Sequence, residues 1–174
     1  KENGNPHKKV DVVILAEGYS VNDKEKFQQH VNQVANIFFN QEPFKSNESN
    51  FNIYGVFKPS SVSGISEPRA GIYKKTALSA TFNSLNSERY ILTEDNKSMR
   101  DLAAHVPYDA IYIMINHNRY GGGGIYNLFC TFTAANQSLE YLLIHVLYSF
   151  QYVTLQYSFK TGSLIIFSMD VDAV

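Results

Sequence analysis

VDVVILAEGYSVNDKEKFQQHVNQVANIFF, residues 10–39, changes its hydrophobic period once, and that change decides the fold class. Residues 10–16 are a short apolar, β-branched run broken only by Asp11 and followed by Glu17 and Gly18, the pattern of a buried strand. Ser20 and Asn22 then stand as caps, with Asp23 and Glu25 in a first helical turn. Phe27, Val31, Val34 and Phe38 recur at steps of four, three and four. That spacing is one face of an amphipathic helix over residues 23–39.

The same alternation continues outward. FNIYGVF (51–57) reads as a second strand. Residues 58–86 are rich in Ser, Gly, Pro and Thr and too long for a plain connection, so they hold short strands or carry function. Met99, Leu102, Ala103 and Val106 predict a short helix that ends before Pro107. YDAIYIMIN (108–116) is the clearest buried strand. Gly121, Gly122, Gly123 and Gly124 follow, and then IYNLFCTFTA (125–134) as another strand. Strand, helix, strand, helix, strand is an α/β pattern. No internal repeat is present. Residues 1–9, polar and interrupted by Gly4 and Pro6, read as a linker from an upstream region, and 10–174 as one domain.

Composition narrows the function. Apolar residues make up 44% of the 174, enough for a packed core. A net charge of -1 lacks the basic surplus that nucleic acid or an anionic membrane requires. The single cysteine, Cys130, has apolar neighbours in Leu128, Phe129 and Phe132, which points to a buried structural thiol rather than a nucleophile.

Residues 141–159 contain no Asp, Glu, Lys or Arg. Over 139–155 the chain is apolar all round a helical wheel, the mark of a buried helix. Glu140, His145, Ser149, Gln151 and Thr154 weigh against a membrane span. Residues 153–159 also fit a strand, and periodicity does not decide between the two. The apolar then acidic tail, 164–174, is a candidate last strand of the sheet.

Few residues offer chemistry. The glycine run follows a strand but has neither a G-x-x-x-x-G-K-[ST] nor a G-x-G-x-x-G pattern and no helix behind it, so phosphate binding is disfavoured. It reads instead as a hairpin or lip where backbone approaches another group closely. None of the five histidines, His7, His30, His105, His117 and His145, pairs with another at i+4. His145 stands out because it sits inside the apolar stretch, where its ring nitrogens need partners. Asp11, Glu17 and Asp109 are the carboxylates near strand ends. No G-x-S-x-G elbow is present.

Three blocks in order carry a resemblance. VDVVILAEGYSVNDKEKF (10–27), EPFKSNESNFNIYGVFKPSSVSGIS (42–66) and YDAIYIMIN with RYGGGGIYN (108–127) are similar to the IgA-peptidase family of zinc metalloendopeptidases. The resemblance implies a zincin-like α/β fold, a bound zinc, protein substrates, and a secreted or cell-surface parent of several domains. It also implies a helix after the glycines with an H-E-x-x-H motif. There two His at i and i+4 hold one Zn²⁺ and the Glu acts as general base on its water. An edge strand beside that helix pairs with extended substrate, which places Gly121, Gly122, Gly123, Gly124, Ile125 and Tyr126 at the substrate, with 125–134 as the pairing strand.

The sequence departs from the motif. Set on the family pattern, His145 takes the first zinc position, Val146 the general-base position and Ser149 the second-ligand position, and the downstream acidic pair falls on Gln156 and Tyr157. A valine takes no proton, and one imidazole does not hold zinc. The expectation is a domain of metallopeptidase lineage without its hydrolytic machinery. The alternative is a peptide- or protein-binding remnant of the same fold.

Overall fold

The structure, a computed structural model, describes residues 1–42 and 44–135. Five strands form one sheet in the order β2-β1-β3-β5-β4. They are β1 (Val10–Glu17), β2 (Phe51–Val56), β3 (Ala110–Ile115), β4 (Gly122–Ile125) and β5 (Phe129–Thr133). The helices are α1 (Lys24–Phe39) and α2 (Asn96–Ala103). β1 runs parallel to β2 and β3, and β3 parallel to β5. β4 alone is antiparallel, on β5. The α/β expectation holds as a mixed sheet with packed helices.

β1 is buried at every position because both its faces are covered. Val10, Val12, Ile14 and Ala16 point to the α1 side, joined there by Phe51 and Ile53 of β2, Tyr112 and Met114 of β3 and Cys130 and Phe132 of β5. α1 contributes Phe27, Val34, Phe38 and Phe39 to this layer, and Phe38 stacks on Phe44 with ring centroids 4.1 Å apart. Val31 reaches down to Gly55, where a Cβ would lie 3.2 Å from its methyl, so the glycine sets how closely α1 approaches β2. The opposite face holds Val13, Leu15, Ile111, Ile113, Ile115 and Phe129 under Met99, Leu102 and Ala103 of α2 and under Leu78, Phe82 and Ile91 of the long loop.

Two segments differ from the sequence reading. α2 begins at Asn96, capped by Asp95, whose side chain accepts the Ser98 N–H at 2.9 Å, and it stops at Ala103. Residues 125–134 are not one strand. β4 ends at Ile125, residues 126–128 turn with Asn127 at φ 58°, and β5 starts at Phe129. Before β1, Lys1 exchanges backbone bonds with Ile53, and Asn3 N–H donates to Asn52 Oδ1 at 2.6 Å.

Candidate functional site: the glycine edge strand

The carboxylates at strand ends do not converge. Asp11 and Asp109 lie together at the start of β1 and β3, where Asp109 Oδ2 accepts the Asp11 N–H at 2.9 Å and Asn52 Nδ2 donates to Asp11 Oδ1 at 2.8 Å. Glu17 lies at the other end of β1, about 20 Å away at the rise of a strand. There it accepts the N–H groups of Leu78 and Ala80 at 2.8 and 2.9 Å. Each carboxylate closes a local gap in the backbone, which is a structural task.

Three described histidines are likewise engaged. His30 Nδ1 bonds the Tyr19 hydroxyl at 2.8 Å, and burial lowers its pKa, with Lys26 adding to the effect. His105 Nδ1 donates to the carbonyls of Asp101 and Leu102, both at 3.1 Å. His117 Nδ1 accepts the Arg119 N–H at 3.0 Å, which leaves Nε2–H to donate to Glu67 Oε1 at 3.1 Å. The other Glu67 oxygen pairs with Arg119 Nη1 at 2.9 Å, and the guanidinium lies 3.8 Å over the Phe82 ring. This Glu67–His117–Arg119 group fixes the turn from β3 into the glycines. Its partners lie 50 and 52 residues apart in sequence, so no local pattern announced it.

Cys130 is buried among apolar side chains, and burial pushes its thiol pKa up to about 12. That is the inert thiol expected from its neighbours. A cavity of about 120 Å³ lies near the starts of β3 and β5, between Arg100, Asp109 and Asn127. It has room for a few waters and is far below the ~300 Å³ of a ligand pocket.

The glycines form an edge strand. Gly122, Gly123 and Gly124 pair with Phe132, Thr131 and Cys130 across β4 and β5. β5 is interior, so the pairing edge expected over 125–134 belongs to β4. The side-chain-free backbone has a cause: a Cβ on Gly121 would lie 2.7 Å from Phe82 and 2.9 Å from the Arg89 carbonyl. One on Gly122 would lie 2.5 Å from the Thr131 carbonyl, and one on Gly123 2.9 Å from the Tyr90 ring. Ile125 and Tyr126 continue the edge and are exposed, Tyr126 at 73%. A strand follows the glycines where a phosphate loop would need a helix N-terminus.

Residues 89–91 lie along the outer edge of β4. Tyr90 forms a parallel bridge to Gly122. Gly122 N–H donates to the Arg89 carbonyl at 3.1 Å, and Ile91 N–H to the Gly122 carbonyl at 3.3 Å. The Thr131 hydroxyl donates to the Ile91 carbonyl at 2.6 Å and lies 3.3 Å from the Gly123 carbonyl. The Tyr90 hydroxyl donates to the Gly124 carbonyl at 3.3 Å.

His145, Val146 and Ser149 lie outside the described residues. Among the described residues no group of three or more His, Cys, Asp or Glu side chains is placed to hold a metal ion. No helix among them is long and apolar enough to cross a membrane.

A family model described as IgA Peptidase M64 matches residues 1–167, and the chain belongs to that family. No curated protein matches the chain.

Proposed function

We propose that this member of the IgA peptidase M64 family is a zincin-like metallopeptidase domain that engages extended peptide but, with the residues it carries, does not hydrolyse it. The observation that carries the reading is the family match over residues 1–167 together with the placement of the glycines. Among the described residues, Gly122, Gly123 and Gly124 lie in the one antiparallel strand, at the edge of an otherwise parallel sheet. An edge strand offers backbone groups to an extended chain and needs no catalytic residue to do so. Of the proposed substrate-side residues Gly121, Gly122, Gly123, Gly124, Ile125 and Tyr126, Gly122 already bonds Arg89 and Ile91 through its N–H and carbonyl, so contact with a peptide is proposed at the Gly124 to Tyr126 end.

Zinc is the cofactor of this lineage, and the donor set here does not fit it. A catalytic zinc takes three protein ligands and keeps a water. Between residues 141 and 169 His145 is the sole His, Cys, Asp or Glu. Val146 stands where the general base belongs and Ser149 where the second histidine belongs. No hydrolytic step is assigned to this chain. The proposed setting is a secreted or cell-surface protein of several domains, with 10–174 as one domain and 1–9 joining it to the rest.

The test is zinc content by elemental analysis, after incubation with added zinc and removal of excess, beside an assay of peptide cleavage. No retained zinc and no cleavage are expected. Stoichiometric zinc with cleavage that a chelator blocks would restore the enzyme reading. Loss of amide-shift changes at 121–126 on titrating unstructured peptides would remove the binding role.

A further inference from the structure

We propose that Asn3-Gly4 is a latched deamidation site, silent while the chain is folded, and that its reaction unfastens residues 1–4 from the β2 edge of the sheet. The chemistry follows from the dipeptide. Gly4 has no side chain to shield its backbone nitrogen, so that nitrogen can reach the Asn3 side-chain carbonyl carbon. In the reaction the bond from Gly4 N to Asn3 Cγ forms and the Cγ–Nδ2 bond breaks. The Gly4 amide proton leaves with the side-chain amide as ammonia, and a five-membered imide remains. Solvent water then opens the ring at either carbonyl and leaves aspartate or isoaspartate in place of the asparagine.

The fold holds the two reacting groups on separate anchors. Asn3 Nδ2 donates to the carbonyls of Glu48 and Phe51 at 3.0 and 2.9 Å. That ties the leaving amide to the chain entering β2 and resists the rotation that ring closure requires. The Gly4 N–H donates to Asn52 Oδ1 at 3.2 Å, beside the Asn3 N–H at 2.6 Å. Asn52 Nδ2 returns a bond to the Gly4 carbonyl at 3.0 Å and gives a second to Asp11 Oδ1 at 2.8 Å. Asn52 is fully buried, so this clamp is fixed by the core beneath it. One buried amide grips the nucleophile's peptide unit while two backbone carbonyls hold the leaving group.

The product does not fit the latch. A carboxylate has no N–H to give and would set negative charge against the Glu48 and Phe51 carbonyls. Those bonds anchor a longer segment. Among the described residues β2 is an edge of the sheet. The Lys1 nitrogen donates to the Ile53 carbonyl and the Ile53 N–H donates to the Lys1 carbonyl, both at 2.7 Å. Residues 1–4 therefore cover backbone groups of β2 that a bare edge would leave open. Once Asn3 has reacted, release of this segment opens the edge at Ile53.

The test follows Asn3 by peptide mapping of the full chain, held in mildly alkaline buffer with and without urea. The unfolded chain should deamidate at Asn3. The folded chain should do so at least about tenfold more slowly, since the reaction waits on local opening of several hydrogen bonds. Asn3→Asp supplies the product directly. In hydrogen exchange this variant should lose protection at the Ile53 amide and keep it at Ile113, which lies inside the sheet. Equal rates with and without urea would overturn the latch. An unreacted Asn3 in urea would overturn the site itself. Full protection of Ile53 in Asn3→Asp would overturn the unfastening, and loss at Ile113 as well would overturn its restriction to this edge.

Discussion

The Glu17 carboxylate accepts the Leu78 N–H at 2.8 Å and so ties the end of β1 to a loop 61 residues further along the chain. Ala80 N–H and the Thr76 hydroxyl donate to the same group. Several donors converge on a fully buried acceptor, and this clamp fixes residues 76–80 over the sheet.

Glu17→Gln should therefore destabilise the fold by about 2–3 kcal/mol, because an amide N–H₂ would face donors in a buried site. Urea unfolding measures it. Burial raises the Glu17 pKa above its ordinary 4.5, outweighing the lowering by Thr76, Ala80, Leu78 and Gly18. The native state then holds a proton that the unfolded chain has released. Stability from this group falls as pH rises from 4.5 through the raised value, and that slope should vanish in the variant.

Asp23 closes a capping box with Ser20 at the entry to α1 and also accepts from Ser63. Burial is the largest single influence and opposes ionisation, but the hydrogen bonds from Ser20 and Ser63 and the charge of Lys26 together outweigh it and hold the Asp23 pKa below the ordinary 3.8. Its contribution is present above pH 3.8 and lost as pH falls through the lowered folded value. Asp23→Ala should cost about 1 kcal/mol near neutral pH, with the difference from wild type vanishing in stronger acid. Thermal unfolding across pH checks both halves.

The glycines should not respond alike to added volume. Gly121→Ala and Gly122→Ala place a Cβ within 2.7 and 2.5 Å of fixed atoms and should destabilise by about 2 kcal/mol or more. Gly124→Ala meets nothing closer than 3.5 Å and should stay within ~0.5 kcal/mol of wild type. Denaturant midpoints of the three variants make the comparison.

Val146→Glu with Ser149→His recreates H-E-x-x-H on His145. The double variant should retain zinc at least tenfold better than the parent chain, since two imidazoles at i and i+4 share one ion. Elemental analysis reads it directly. Equal retention would remove His145 from the metal position.

Where apolar period was strong, the sequence sufficed. β1, α1 and β3 fall within a residue or two of their expected bounds, because Val10 to Ala16 and Phe27 to Phe38 bury their faces whatever lies above them. α2 carries Met99, Leu102 and Ala103 on its buried face and ends before Pro107 as expected, but Val106 lies beyond it, and its start at Asn96 is set by Asp95 accepting the Ser98 N–H, a polar signal outside the apolar period. The hairpin at Asn127 was read through as strand, since Ile125 and Tyr126 favour extended backbone and only the left-handed Asn127 breaks it.

By itself the sequence determined the α/β class, the family resemblance and the absence of an H-E-x-x-H motif, because period and motif spacing are local properties. Tertiary structure alone decided that four glycines form a strand, that β4 and not β5 is the edge, and that residues 89–91 close it at Gly122. Glycine has no intrinsic preference for a strand. Its place here is set by what presses on it: Phe82, Tyr90 and Ile91 from a loop some 30 residues earlier, and the Thr131 carbonyl of the next strand.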